Sequence, residues 1–324
     1  MEDYKVLTAE EQAQFFLENG YVVINNAFTP EKAAQWSENI WVRLGMDESD
    51  RGTWTRERIH MPWHKREPVA TFSPKAWDAM CDLLGGAERI DAQNSTWGDS
   101  FIVNLGTPEL EQEAERLHPR ELDNWHVDGD FFVHFLDSPE QALLVIPLFT
   151  DIKPSGGATY IAPEGIRHVA QYLAAHPEGV VPAGPPPRMV SSTSLYADPR
   201  DDPEVYVHGD IAKQCGRFVE MTGHVGDVVL LHPLMLHSAS KNYLREARVI
   251  VNPPVALREP FGFDRARTED YSLVELKTLR ELGVDRLDFK PSTERRRLVP
   301  KSLGAKAAML EEEKRRLAAV LGRE

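Results

Sequence analysis

The stretch Asn124-Trp125-His126-Val127-Asp128 places a histidine and an aspartate two residues apart. We predict a strand here, and alternate residues of a strand point to the same face of a sheet. An imidazole nitrogen and a carboxylate oxygen on one face lie within reach of a single metal ion. The pair predicts a metal site only if a third ligand comes from elsewhere in the chain.

A downstream stretch, Gly226 to His237, offers two candidates for the third ligand, His232 and His237. They are separated by an odd number of positions, so a regular strand would aim them at opposite faces. His232 precedes Pro233, which restricts its backbone and suits a strand end, and we interpret it as a structural histidine. His237 precedes the small residues 238–240, which leave space for a ligand beside a metal. The predicted metal ligands are therefore His126, Asp128 and His237.

Two histidines and one carboxylate on one side of a metal form the facial triad of non-haem Fe(II) oxygenases, whose opposite side stays open. Arg248 begins an apolar strand 11 residues after His237. A guanidinium in such a place is costly unless it meets a carboxylate. That carboxylate could be internal, with Asp227 as the candidate. It could also be the far end of a diacid co-substrate that chelates the iron with its other end.

The composition limits the classes of partner. The chain has 324 residues and a net charge of −14, which argues against a nucleic-acid or anionic membrane surface. No apolar run approaches the roughly 20 residues of a membrane-spanning helix. Cys81 and Cys215 are the two cysteines and predict reduced thiols rather than a disulfide framework. With an acidic N-terminus unlike a secretory signal, we expect a cytoplasmic protein with a small-molecule substrate; the oligomeric state stays open.

Many short strands with glycine and proline turns, flanked by helices, predict a β-sandwich or jelly roll with packed helices. We expect one domain over residues 1–324. Its expected parts are N-terminal helices, a strand and a lid in 1–96, a β-roll core in 97–256, and a C-terminal helical extension in 257–324. The arginine- and tryptophan-rich segment 46–70 is predicted as a loop or lid. The proline-rich segment 179–203 is predicted as an irregular excursion.

Three residues are predicted as substrate contacts. Phe132 and His134 share the parity of Asp128 and would face the cavity if the strand continued past Gly129. If Gly129 instead breaks the strand, His134 is a core or surface residue. Trp63, within the predicted lid, could close over the site. The alternative is that the lid is a solvated loop with its tryptophans packed on the core.

Four features together resemble the phytanoyl-CoA dioxygenase family. They are the stretch 124–128, the stretch Gly-Gly-Ala-Thr-Tyr-Ile-Ala-Pro at 156–163, the stretch 226–237, and the arginine at 248. The resemblance covers about residues 97–256, with a weaker similarity in the N-terminal helices. It implies an oxygenase dependent on Fe(II) and 2-oxoglutarate. It also implies a mainly β fold with flanking helices, built on a double-stranded β-helix, the cupin-like jelly roll.

By position, the resemblance assigns iron ligation to His126, Asp128 and His237, the distal carboxylate of 2-oxoglutarate to Arg248, and polar co-substrate contacts to Asn124 and Thr159. It implies that O2 is consumed, that succinate and CO2 are released, and that an unactivated carbon of a small organic substrate is hydroxylated. Related halogenases have a small residue at the position of Asp128, so this carboxylate argues against halogenation. The chain departs from the family at Ser238 and in the turn 163–168, so the resemblance implies no particular substrate.

Two alternatives use the same three ligands. The chain could be a catalytically inactive metal-binding β-roll that serves as a binding module, but such a module does not need Arg248 placed for a diacid. It could also be a zinc hydrolase. That reaction needs a general base, and the sequence offers no clear candidate.

Overall fold

The computed structural model describes residues 9–194, 201, 205–300 and 302–322. The strands are β1 Tyr21–Ile24, β2 Arg58–His60, β3 Arg66–Pro68, β4 Thr96–Gly98, β5 Ile102–Asn104, β6 Leu143–Pro147, β7 Thr159–Ala162, β8 Val180–Ala183, β9 Arg188–Ser191, β10 Tyr206–Val207, β11 Val219–Met221, β12 Val228–Leu231, β13 Leu236–Ala239, β14 Arg248–Ile250 and β15 Pro254–Val255. The helices are α1 Ala9–Asn19, α2 Pro30–Ser37, α3 Ile40–Leu44, α4 Val69–Phe72, α5 Pro74–Leu84, α6 Pro108–Gln112, α7 Gly165–Ala175, α8 His208–Ala212, α9 Leu273–Leu282 and α10 Leu303–Leu321.

Every strand pair in the described residues is antiparallel. Three sheets position the site, with strand orders β1-β12-β6-β15, β11-β7-β13 and β14-β5-β2. Each joins strands that are distant in sequence, as when β1 pairs with β12. Apolar strands such as β6 and β12 are buried along their whole length. The prediction of many short strands flanked by helices is therefore confirmed, and the structure adds that the strands are antiparallel.

Aromatic side chains pack at one point of the main hydrophobic core, between the N-terminal helices and the sheets. Phe28 contacts Phe72, Trp97 and Phe149, with ring centroids 5.2–6.2 Å apart. Burying each such ring contributes on the order of 2 kcal/mol. This packing attaches α4 to the sheets that carry the site.

The C-terminal helices form where the sequence predicts them, after Pro260. Ser272 and Glu275 make a reciprocal capping box at the start of α9, and Gly283 ends the helix in the left-handed conformation. Helix α10 packs on α3, and its buried Glu313 accepts one hydrogen bond from Nε of Arg43 at 2.9 Å. The beginning of α10 is thereby held beside the cavity described below.

Two segments are more regular than predicted. The segment 46–70 contains β2, which pairs with β5, so residues 58–60 are a strand of that sheet rather than part of a loop. Segment 179–203 contains the hairpin of β8 and β9, to which β10 adds a third strand; residues 195–200, 202 and 203 lie outside the described part. Their strands have only three or four residues, too few to show alternation in the sequence. Within the described residues, no helix combines the length and apolarity that a membrane crossing requires.

Candidate metal centre

His126 and His237 are brought together by a single β-bridge. The backbone N–H of each donates to the carbonyl of the other, at 2.9 and 3.0 Å, and the two rings lie 4.2 Å apart. The strand predicted for 124–128 does not form, because only this bridge pairs the segment and Gly129 turns the chain with φ +119°. The predicted strand is therefore wrong, although His126 and Asp128 still face the same point.

Three potential ligand atoms converge there. Oδ1 of Asp128 lies 3.4 Å from Nε2 of His126 and 3.6 Å from Nε2 of His237, and one ligand atom from each residue lies within 4.8 Å of the others. Nδ1 of His126 donates to the carbonyl of Asn124 at 2.7 Å, and Nδ1 of His237 donates to that of Met235 at 3.0 Å. A carbonyl only accepts, so both protons sit on Nδ1. Each Nε2 therefore offers a lone pair, as metal ligation requires.

The carboxylate of Asp128 is oriented and kept ionised by its neighbours. Its other oxygen, Oδ2, accepts a hydrogen bond from Nδ2 of Asn252 at 3.2 Å, which leaves Oδ1 toward the histidines. Burial alone would raise the pKa of Asp128, but His237 and His126 hold that pKa well below its usual value. Burial lowers the pKa of His126, yet the adjacent carboxylate outweighs it and raises the pKa overall. The site thus presents one fixed negative charge.

A cavity of about 550 Å³ opens beside these atoms. In the pairing of β13 with β7, His237 lies opposite Ile161 and Ala239 opposite Thr159, so Thr159 shares the face of His237. The cavity lining includes all six residues predicted for iron and co-substrate: Asn124, His126, Asp128, Thr159, His237 and Arg248.

The sheet of β14, β5 and β2 forms a second wall of the cavity. Its register sets Arg248, Asn104 and Arg58 in one row. Alternate residues of a strand face the same side of the sheet. The row two residues further along, Ile250, Ile102 and His60, therefore faces the same side as the first row. Burial and the positive charges of Lys306, Arg248 and Arg58 lower the pKa of His60 to about 4. This wall is cationic, in contrast to the acidic chain as a whole.

Arg248 is a buried cation, with 2% of its surface exposed. It donates to the carbonyls of Gly157 at 2.7 Å and Ile102 at 3.4 Å, and no carboxylate of the described residues forms an ion pair with it. The internal candidate, Asp227, instead accepts backbone N–H groups, among them that of Asn26 at 2.9 Å. Burial and the charge of Arg58 lower the pKa of Arg248 to about 9. Its charge is therefore uncompensated by protein side chains in the described part of the chain.

The three predicted substrate contacts lie outside the cavity lining. Phe132 and His134 stack at 4.3 Å beneath Gly129, and Nε2 of His134 lies 2.6 Å from the Gly129 carbonyl. The strand does not continue past Gly129, and both side chains support the turn that follows Asp128. Trp63 is 48% exposed, with the guanidinium of Arg66 4.1 Å above its ring.

His232 is also remote from the cavity lining. Its Nε2 lies 2.9 Å from Oγ1 of Thr278 on α9, and its Nδ1 accepts the backbone N–H of Leu234 at 3.2 Å. Both nitrogens are used in structural hydrogen bonds, so the geometry favours His237 as the third member of the cluster.

The cavity residues that the sequence did not assign to the site include Arg58, His60, His208 and Asn252. The sequence does contain an indication for Asn252. It lies four residues after Arg248 in the predicted strand, so the two side chains are expected to face the same side. Arg58 and His60 alternate correctly but lie on a strand of three residues. His208 is a lone histidine at the end of a proline-rich stretch, and nothing around it indicates a site.

No family model matches the chain, and no curated protein matches it. Among solved structures, HygX from Streptomyces hygroscopicus, solved with nickel, 2-oxoglutarate and hygromycin B, is 12% identical with a TM-score of 0.38 over 80% of this chain and 90% of its own. The epimerase SnoN, solved with Fe3+, alpha ketoglutarate and nogalamycin RO, is 14% identical with a TM-score of 0.38 over 88% and 96%. AviO1 from Streptomyces viridochromogenes Tue57 is 14% identical with a TM-score of 0.41 over 79% and 98%. These likenesses are weak, so the functional argument rests on the geometry of the site.

Proposed function

We propose that this chain is an Fe(II)- and 2-oxoglutarate-dependent dioxygenase that hydroxylates an unactivated carbon of a small organic substrate. The observation that carries the proposal is the shared cavity. Two imidazole nitrogens and one carboxylate oxygen converge on one side of it, and a buried arginine without a carboxylate partner in the described chain lies on another. A bare metal-binding module would not need that arginine, whose burial is costly without an anion.

The donor set fits Fe(II). Nε2 of His126, Nε2 of His237 and Oδ1 of Asp128 would hold the metal on one side and leave the other side open. Asn252 fixes Asp128 from behind, as an outer hydrogen-bonding partner of a metal ligand does. One negative charge from the protein leaves the bound metal with a positive charge, which suits a chelating keto acid.

The cationic wall fits 2-oxoglutarate. Arg248 would pair with its distal carboxylate in the forked geometry that guanidinium groups offer. Thr159 and Asn124 line the same cavity and would contact the co-substrate through their polar groups. Gly157 and Ile102 hold the guanidinium by its hydrogen bonds to their carbonyls, so it is oriented before the anion arrives.

When bound, Fe(II) and 2-oxoglutarate would supply activation of O2, with succinate and CO2 as products and an oxygen atom transferred to the substrate. The chain's own residues orient these groups and limit water around them. Leu144, Ile146 and Ile250 give the cavity apolar surface next to the polar cluster. Asp128 occupies the ligand position with a carboxylate, which supports hydroxylation rather than halide transfer.

The proposal extends to the fold. A double-stranded β-helix of the phytanoyl-CoA dioxygenase type would account for sheets in which strands distant in sequence lie side by side, and for a metal cluster that joins residues 126–128 to residue 237. In such a jelly roll the cavity lies between sheets, and a cavity lined by residues of β5, β6, β7, β13 and β14 supports this proposal. The cytoplasmic location stays a prediction.

An anaerobic titration tests the proposal. Fe(II) and then 2-oxoglutarate are added to the purified protein, and a weak charge-transfer band in the green region is expected. Asp128→Ala should keep the fold by circular dichroism but lose the band. A folded wild-type protein without a band would contradict the proposal, and hydrolysis supported by zinc without O2 would favour a hydrolase. Succinate release across a panel of small organic molecules then identifies the substrate.

A further inference from the structure

His208 lies on a wall of the cavity that neither the metal cluster nor the cationic sheet explains. It begins α8, directly after β10, and is 2% exposed. The cavity lining includes it together with Pro182, Ala183 and Pro187 from the hairpin of β8 and β9. This wall is formed by the sheet of β8, β9 and β10 with the start of α8. It is separate from the wall of β14, β5 and β2, which carries Arg248.

The imidazole of His208 has an unsatisfied acceptor. Among the described residues, neither ring nitrogen is in hydrogen-bond geometry with a partner. The carbonyl of Pro187 lies nearby and accepts the backbone N–H of His208 at 3.2 Å. A carbonyl only accepts hydrogen bonds, so Pro187 could at most take the one proton of the imidazole ring. A neutral imidazole always has a second nitrogen that can only accept. No described group donates to it, and an unpaired buried polar group of this kind is costly.

The ring is also held in place and kept neutral. Tyr206 packs edge-on against it at 5.7 Å and stacks on Tyr172 at 4.4 Å. Burial lowers the pKa of His208 to about 3, helped by the nearby His126 and His237, while the Pro187 carbonyl raises it only in part. At neutral pH the side chain is thus a fixed, uncharged hydrogen-bond acceptor, and a neutral donor suits it better than an anion.

We propose that His208 is a substrate-binding residue that accepts a hydrogen bond from a hydroxyl group of the substrate. The substrate would then be a hydroxylated organic molecule whose O–H lies on the wall of β8, β9 and α8, with its apolar part against Leu144 and Ile146. This inference rests on the proposed function, since it assigns the substrate side of the same cavity. A site that hydrogen-bonds a hydroxyl discriminates strongly against an analogue that lacks it.

The test uses two probes of nearly the same shape, phenol with a hydroxyl and toluene without one. Both are titrated calorimetrically into protein loaded with Fe(II) and 2-oxoglutarate under argon, and again into metal-free protein, where phenol has no metal to bind. Wild-type protein should bind phenol at least about fivefold more tightly than toluene, the effect of one buried hydrogen bond. His208→Leu should remove that preference, and His208→Gln, which retains an acceptor, should restore part of it.

A thermal melt separates this role from a structural one. Because the acceptor of His208 is unpaired, His208→Leu should melt at the wild-type temperature or higher. A preference for phenol that is unchanged in His208→Leu would overturn the proposal. So would a large fall in melting temperature for both His208→Leu and His208→Gln, since that would show a structural partner. Absence of the green band in wild-type protein would instead count against the proposed oxygenase function, whatever the result with phenol.

Discussion

Replacement of Arg248 by methionine should weaken 2-oxoglutarate binding far more than it affects stability. Removal of one partner of a buried charge pair costs about 2–5 kcal/mol, which raises the dissociation constant about 30-fold to 4,000-fold. A loss within that range is expected because Arg248 is 2% exposed, and Arg58 and Lys306, which line the same cavity, would retain part of the attraction for the anion. Arg248→Lys retains the charge but loses the fork, so a smaller loss of about tenfold is expected.

Stability should behave in the opposite way. Burial lowers the pKa of Arg248 from 12.5 to about 9, which penalises the charged form by roughly 5 kcal/mol. Methionine removes this penalty and gives up the hydrogen bonds to Gly157 and Ile102, so the free energy of unfolding should stay similar or rise. The assay is an anaerobic 2-oxoglutarate titration of the Fe(II) protein read at the green band, with urea denaturation alongside. Arg66→Met, exposed and outside the cavity lining, is the matched control. An unchanged dissociation constant in folded Arg248→Met would refute the co-substrate assignment.

Three further predictions follow from individual contacts. Asn252→Ala removes the hydrogen bond that orients Asp128, so Fe(II) affinity should fall about 10- to 100-fold in a metal titration while the fold is kept; unchanged affinity would remove Asn252 from the site. Gly129→Ala should destabilise the protein by more than about 1 kcal/mol in urea, because φ is +119° and a Cβ would lie 2.5 Å from the ring of Phe132; a neutral effect would contradict this turn geometry. Burial lowers the pKa of His232 from 6.5 to about 3, so below pH 6.5 the unfolded chain binds a proton that the folded chain cannot, and stability falls with falling pH. His232→Gln should reduce that slope by about 1.4 kcal/mol per pH unit, and an identical slope in urea titrations across this range would show that His232 does not contribute.

The three proposed metal ligands could be selected from the sequence because their chemistry is restrictive. Few residue types bind Fe(II), and the parity argument together with Pro233 favours His237 over His232. Arg248 was found because a cation that begins an apolar strand needs an anion. The pairing of His126 with Asp128 was argued from strand alternation, and the two side chains still converge although the strand predicted around His126 is only a β-bridge.

The walls of the cavity could not be predicted in the same way. Arg58 and His60 lie on a strand that exists only because β5 is available for pairing, so local propensity gave no sign of it. Phe132 and His134 were predicted from parity, which has no meaning once Gly129 turns the chain. His208 is brought to the cavity by the β8–β9–β10 sheet, a tertiary arrangement without local periodicity.

The most direct measurement is an anaerobic crystal structure of the protein with Mn(II), a redox-stable substitute for Fe(II), and 2-oxoglutarate. We predict one metal ion bound by Nε2 of His126, Nε2 of His237 and Oδ1 of Asp128. The keto acid should chelate its open side and extend its distal carboxylate to Arg248. A metal bound elsewhere, or 2-oxoglutarate that leaves Arg248 without an anion, would contradict the account.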